Sequence, residues 1–340
     1  MSLAALTATQ DRNRTFFRLL ADYLNHAPCL VTEEMITSLV TSCRVREEEA
    51  FCAILSAAFG WEEEEREQDR VLYGEYLRPA VRKLHPAAYM ADPYYRHIHI
   101  SDCKNGKWRL QTAQYAPYEG FVCGPLRLGP HYAAVPAVGY FADGFSYPMV
   151  LENGVEWMAI KPNEIETMRR PIADAHGRVL TFGLGLGYFA YMAARKEEVN
   201  SVTVVERETD IIRLFREEIL PQFGPFAPKI DIIEADAFAF AQSPAARAYD
   251  YVFCDLWHDA ADGLPLYIRM RKIEKAQQIT PFAYWIEDML LSELRSMVFA
   301  GLFEGGHCRV DVKEAYHMLS DAYLRALAPD LRAIQETEEI

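Results

Sequence analysis

The sequence has no CxxC pair, no apolar run of the roughly 20 residues that a membrane span needs, and no repeat of fixed period. Its seven cysteines (Cys29, Cys43, Cys52, Cys103, Cys123, Cys254, Cys308) are scattered and odd in number. That excludes a simple disulfide framework or zinc site and points to free thiols, buried or partly buried. Positive charge is also short: 35 Lys and Arg stand against 49 Asp and Glu, a net charge of -14. Such a surface repels phosphate backbones, so neither nucleic acid nor a membrane is the expected partner. A neutral or cationic small molecule suits the charge better, and nothing in the sequence excludes a homodimer. The start, "MSLAALTATQDRNRTFF", has too short an apolar stretch for a secretory signal, and no basic residue precedes it. The expected location is therefore the cytoplasm.

What is present is ordinary for a globular chain with a sizeable core. Of 340 residues, 51% are hydrophobic and 25% charged, enough for two or three domains of roughly 100–200 residues. Residues 1–92 read as a helical N-terminal domain. Phe16, Phe17, Leu19, Leu20, Tyr23 and Leu24 recur at helical spacing, Pro28 ends that element, and Thr32 before Glu33 and Glu34 is an N-cap pattern. The acidic run Glu62–Glu65 reads as an exposed helix start. Two basic groups, "RPAVRKLH" (78–85) and "YIRMRKIEK" (267–275), read as solvated helix faces.

Residues 93–168 form a β-rich connector or small domain. "HIHI" (97–100), Asn105-Gly106 and "KWRLQTA" suggest one hairpin, and "YPMVLENGVEWMAI" a second with Asn153-Gly154 at its tip. His97 and His99 would share a strand face, half of a metal site without a second pair nearby, and no metal is expected.

From residue 169 to 340 the pattern is βαβ with a helical C-terminal part. "RVLTFGL", "SVTVVE", "KIDIIEA" and "YDYVFCDLW" are short apolar strands, and helical stretches separate the first three. The stretch "QQITPFAYWIEDMLLSELRSMVFAGLF" reads as helix throughout, so the sheet is expected to be shortened. "HCRVDVK" (307–313) is a candidate late strand, and "DAYLRALAPDLRAI" is helical.

The informative stretch is "VLTFGLGLGYFAY" (179–191). Gly183, Gly185 and Gly187 lie between a strand and a helix, where glycine permits positive φ and a close backbone approach. A dinucleotide loop is spaced GxGxxG, whereas Tyr188 stands where its third glycine would fall. Glu206 ends the second strand, placed to accept ribose hydroxyls. Asp236 follows the third strand, placed for an adenine amino group, with Ala237 and Phe238 beside the ring. Asp255 ends the fourth strand, and Trp257, His258, Asp259 and Asp262 follow in its loop. Asp255 and His258 are the candidate catalytic residues, since an acid or a histidine there can deprotonate or orient a nucleophile. Asp259 and Asp262 read as loop-solvating acids.

The order GxGxG, strand-end Glu, "AD-A" and "YDYVFCD" resembles the S-adenosylmethionine-dependent methyltransferases of Rossmann-like fold, especially their spermidine-synthase-like branch. The resemblance covers about residues 175–270. It implies an α/β fold: a Rossmann-like parallel sheet preceded by the helical domain and the β-rich segment. It implies S-adenosyl-L-methionine as cofactor, held by Gly183, Gly185, Gly187, Glu206, Asp236 and Ala237, and a small-molecule acceptor near Asp255 and His258. Thr181 stands where most of these enzymes carry an acid toward the methionine amino group, so that contact is rearranged. Leu186 stands where aminopropyltransferases carry the acid of GGGDG. "VFCDLWHD" also resembles the aspartate–tryptophan–base order of catechol-type O-methyltransferases, but the Asp-Asn pair that would complete a metal site is not found. The function implied is methyl transfer to a small molecule. Aminopropyl transfer, or a non-catalytic protein retaining the fold, are the alternatives.

Overall fold

The computed structural model describes residues 3–277 and 280–303. The expected strand at 307–313 and the C-terminal helical stretch lie outside the described residues. Helices Leu3–His26, Glu33–Cys43 and Glu47–Ala58 open the chain. Thr32 caps the second as its spacing implies, its Oγ1 accepting the Met35 N–H at 3.4 Å. Phe16, Leu20, Phe51, Leu55 and Tyr76 form a core that also takes in Val138 and Tyr140 from a later strand. Phe51 stacks on Tyr140 with centroids 4.3 Å apart.

Strand β1 (Val81–Leu84) corrects the reading of 78–85 as a helix face. Its Arg-Lys pair hides the strand in the sequence, yet Val81 is buried and pairs with Val138 in a distant segment. Strands β2 (Cys103–Asn105), β3 (Trp108–Tyr115), β4 (Phe121–Leu128), β5 (Ala134–Phe141), β6 (Phe145–Glu152) and β7 (Val155–Ala159) follow. They make two sheets, β1-β5-β4 and the antiparallel β2-β3-β6-β7. Both expected hairpins form. "HIHI" is not part of the first: His97 ends the helix Pro93–His97, and the strand begins only at Cys103. The Asn153-Gly154 tip takes φ of 50° and 85°, the left-handed pair that a two-residue hairpin turn requires.

The last sheet is the framework of the site. Strands β8 (Gly177–Phe182), β9 (Val199–Glu206), β10 (Ile230–Glu234), β11 (Tyr251–Cys254) and β12 (Phe282–Tyr284) pair in parallel, in the order β10-β9-β8-β11-β12. The chain moves one way from β8 to β9 and β10, then crosses to β11 and β12. With right-handed crossovers that reversal puts the connecting helices on opposite faces and opens a crevice beside β8. β12 corrects the reading of 277–303 as all helix. Only three residues long, it precedes the true helix Glu287–Phe303. Buried Glu274 holds it in place, accepting the Phe282 N–H at 3.1 Å and the Tyr284 hydroxyl at 2.8 Å. A single core joins this sheet to the antiparallel one, and Cys123 and Cys254 are buried thiols within it. No helix among the described residues is long and apolar enough to cross a membrane.

Candidate functional site

Each parallel strand continues its ladder by one hydrogen bond past its end, and these bonds align the residues of the site. Gly183 N–H donates to Val205 O, Ala235 N–H to Glu206 O, Asp255 N–H to Phe182 O and Trp285 N–H to Cys254 O, each at 3.0 Å. Gly183, Glu206, Asp236, Asp255 and Trp285 are thereby brought to one edge of the sheet. That is the carboxyl edge, where open α/β sheets bind ligands. They line a cavity of about 700 Å³, within the range of small-molecule sites.

The glycine turn follows from close packing. Gly183 has φ of 97°, and a Cβ there would lie 2.0 Å from the Asp255 carbonyl oxygen across the crevice. A Cβ on Gly185 would lie 2.7 Å from Met158 Sδ, and one on Gly187 2.4 Å from the Phe215 ring. Gly183, Leu184 and Gly185 line the cavity, whereas Gly187 faces Phe215 and Phe223 and does not. Thr181 is likewise buried within β8 and does not reach the cavity. Both pack inside the fold beside the cavity rather than in its lining.

Glu206 does reach the turn. Its Oε2 accepts the Leu184 N–H at 3.1 Å, and its Oε1 accepts the N–H groups of Arg207 and Glu208 at 2.8 and 2.9 Å. Three backbone donors fix the carboxylate, and Oε2 keeps an acceptor site for a ligand hydroxyl. Asp236 caps the next helix, its Oδ1 accepting the Ala239 N–H at 2.8 Å, and its other oxygen is unengaged among the described residues. Ala237 and Phe238 line the cavity beside it, and the Arg269 guanidinium covers one face of the Phe238 ring at 3.8 Å.

Two contacts grip the turn from outside the parallel sheet. The Tyr94 hydroxyl donates to Leu186 O at 2.6 Å, and Leu186 N–H donates to Met158 Sδ at 3.2 Å. Met158 lies on β7, so the antiparallel sheet sits directly on the glycine turn.

The far half of the cavity holds Asp255, His258, Asp262, Trp157, Trp257 and Glu164. His258 is exposed, and its Nδ1 lies 2.9 Å from Asp262 Oδ2. Its ring meets the Trp157 ring edge-to-face at 4.3 Å. Asp262 thus has a definite task, unlike the solvating role its sequence suggested: it orients the imidazole and receives the N–H groups of His258 and Asp259. Burial alone would raise its carboxyl, but those hydrogen bonds outweigh it and hold Asp262 below the usual carboxylate range.

Glu164 was not legible in the sequence. It stands in the first turn of the helix Pro162–Asp174, in a segment with no local motif, and meets Asp255 only through the fold. Burial pushes Asp255 up to about 7. Burial first, and the Asp255 charge second, push Glu164 well above the carboxylate range, while Lys161 works the other way. Lys161 is itself paired with Glu156. Among the described residues no group of three or more His, Cys, Asp or Glu is placed to hold a metal ion.

The five-stranded parallel order with its reversal at β8 defines a Rossmann-like α/β fold. No family model matches the chain, and no curated protein matches it. Among solved structures it is similar to the spermidine synthase from Thermotoga maritima, at 12% identity and a TM-score of 0.32. That match covers 44% of this chain and 54% of the other. It is also similar to a putative O-methyltransferase from Klebsiella pneumoniae, at 22% identity and a TM-score of 0.23, covering 30% of this chain and 44% of that one. The chain thus spans only about half the length of either. Strand order and register define the fold independently of these likenesses.

Proposed function

We propose that this chain binds S-adenosylmethionine at the carboxyl edge of the parallel sheet and transfers its methyl group to a small-molecule acceptor in the far half of the cavity. One observation carries the reading. The strand-end carboxylate Glu206 and the glycine turn are hydrogen-bonded to one another and open on the same cavity as Asp255 and His258. The residues present fit an adenosyl group: Glu206 retains an acceptor for a ribose hydroxyl, and the free oxygen of Asp236 suits an adenine amino group. Bound there, the cofactor supplies an electrophilic carbon on a sulfonium. The chain's own part is to hold the acceptor in line with that carbon, exclude water and accept a proton. Trp157, Trp257 and Trp285 wall the acceptor side, and His258, oriented by Asp262, can take a proton at its other ring nitrogen.

A second reading, aminopropyl transfer from the decarboxylated cofactor, draws support from Met158. Met158 lines the cavity beside the turn with its Sδ taken by the Leu186 N–H, so this wall presents a thioether rather than a donor, which favours a ligand without an amino-acid carboxylate. Calorimetric titration of the folded chain with S-adenosylmethionine, S-adenosylhomocysteine and decarboxylated S-adenosylmethionine tests both readings. Heat with the first two supports methyl transfer, and a marked preference for the third supports aminopropyl transfer. No heat with any of them ends the proposal.

A further inference from the structure

Glu206 is oriented by the two residues that follow it, and that short segment is itself fastened from outside the parallel sheet. Glu208 lines the cavity, and its Oε2 receives the Lys107 ammonium at 3.1 Å. The same ammonium donates to Glu152 Oε1 at 2.6 Å. Lys107 stands at the tip of the β2–β3 hairpin and Glu152 ends β6, so one cation ties the antiparallel sheet to the segment after β9. The backbone that carries the cation is well held. Asn153 N–H donates to Lys107 O at 2.8 Å. Trp108, the next residue, is 1% exposed and meets the Trp157 ring edge-to-face at 5.4 Å. Gly106, the residue before, lies so close to the helix Thr209–Leu214 that a Cβ there would be 3.0 Å from Asp210 Oδ2. The hairpin is a rigid anchor seated beside Glu206.

Arg207 also reaches Glu208, its Nε 3.5 Å from Oε1. It belongs to the segment and moves with it, so it cannot fasten it, whereas Lys107 can. Glu152 and Glu208 each lie within hydrogen-bond reach of one ammonium. Without that charge two carboxylates would face one another, and repulsion would drive Glu208 outward. Its N–H would go too, and Glu206 Oε1 would lose one of its donors. Lys107 does not line the cavity, so it acts on a ligand only through Glu206. The bridge is half-exposed and contributes little to global stability. Its effect is local: it sets the direction of one carboxylate.

We propose that Lys107 is a positioning residue: from the hairpin tip it holds the 206–208 segment so that Glu206 presents Oε2 to ribose hydroxyls, and it thereby sets how strongly the site selects a ribonucleoside over one without them. This rests on the reading of the cavity as the site of an adenosyl cofactor. Glu206 Oε1 is committed to the Arg207 and Glu208 N–H groups, so the segment fixes the direction in which Oε2 points. A small rotation of the carboxylate weakens its bonds to the hydroxyls. The adenine end, beside Asp236 and Phe238, follows a different strand and is not moved by it. Loss of the cation therefore falls on the hydroxyls alone, which separates positioning from a general loosening of the cavity.

The test is calorimetric titration of the full chain with adenosine and 2′,3′-dideoxyadenosine, which differ only in the two ribose hydroxyls. Hydrogen exchange of the unliganded chain reads the segment directly. The wild type is expected to favour adenosine about tenfold or more. In Lys107→Met that preference is expected to shrink about threefold or more, while 2′,3′-dideoxyadenosine affinity stays within about twofold. The Arg207 and Glu208 amides of this variant are expected to exchange faster. Lys107→Arg can span the same two carboxylates and is expected to keep the preference. Glu208→Gln should reproduce the loss, and the two substitutions together should lose little more than either alone. A wild type without the preference, a preference unchanged in Lys107→Met, or an equal loss for both nucleosides overturns the proposal. S-adenosylhomocysteine, titrated alongside, separates the two possible failures. Heat with it and an unchanged preference remove the role of Lys107 and keep the cofactor reading. No heat with any of the three ligands removes the cofactor reading and the selectivity with it, and faster amide exchange then leaves Lys107 as a fastener of the segment only.

Discussion

Replacing Asp255 by asparagine keeps the size of the side chain and removes its proton equilibrium. Burial moves this carboxyl from its ordinary 3.8 to about 7 in the folded chain. Burial, and the Asp255 charge after it, raise Glu164 as well, while Lys161 opposes that rise. Between those two pH values the folded state holds a proton that the unfolded state has released. Stability therefore falls as pH rises through that window, and this contribution is level on either side of it. At about 1.36 kcal/mol for each tenfold difference in proton affinity, the loss from low to high pH reaches up to about 4 kcal/mol. The asparagine variant escapes it. Denaturant unfolding of both proteins from about pH 4 to about pH 8.5 reads the difference between them, in which all other carboxylates cancel to first order. The stability of Asp255→Asn relative to wild type should climb with pH across the window and then flatten. A difference that is independent of pH, or that falls as pH rises, would show that Asp255 is not a buried, uncompensated acid. The picture of the acceptor side would fall with it.

Three further expectations concern the framework. Gly183→Ala forces a Cβ against the Asp255 carbonyl at a φ of 97° and should cost about 3 kcal/mol or more. Gly224→Ala, at a φ of 54° with nothing within 4 Å, should cost about 1 kcal/mol, and equal losses in denaturant unfolding would contradict the packing account. Met158→Ala frees Leu186 N–H for a ligand carboxylate, so calorimetry should find intact S-adenosylhomocysteine bound a few-fold more tightly, worth about 1 kcal/mol. Weaker binding would mean that Met158 helps rather than competes. Glu274→Ala strips the partners from Phe282 N–H and the Tyr284 hydroxyl and should destabilise the chain by about 3 kcal/mol. Hydrogen exchange at Phe282 should accelerate in that variant, and an unchanged rate would count against the clamp.

What the sequence disclosed was local. Strand, glycine turn and helix lie within a dozen neighbouring residues at 179–191, so their alternation is visible without the fold. Glu206, Asp236 and Asp255 each end an apolar run, which places them at one edge as soon as the strands are parallel. What it concealed was set by distant partners. β1 carries Arg82 and Lys83 and is a strand only because Val138 waits beside it. β12 is three residues inside a window that reads as helical, held by Glu274 from the preceding helix. Glu164 carries no local signal at all, since its significance depends on Asp255 and on an indole that ties their elements together. The glycines were legible as a special backbone but not in their packing: a Cβ on Gly187 would strike the Phe215 ring, a partner 28 residues away that no local pattern announces.

The double grip on Leu186 bears on how this molecule can be taken apart. The carbonyl is held by Tyr94 and the amide by Met158, and both belong to sequence that precedes the parallel sheet. Excising residues 169–303 as a minimal unit would leave the turn with neither restraint and expose the apolar face on which β7 rests. The earlier segments are therefore scaffolding for the turn itself, and any truncation, fusion or shuffled version must carry them along.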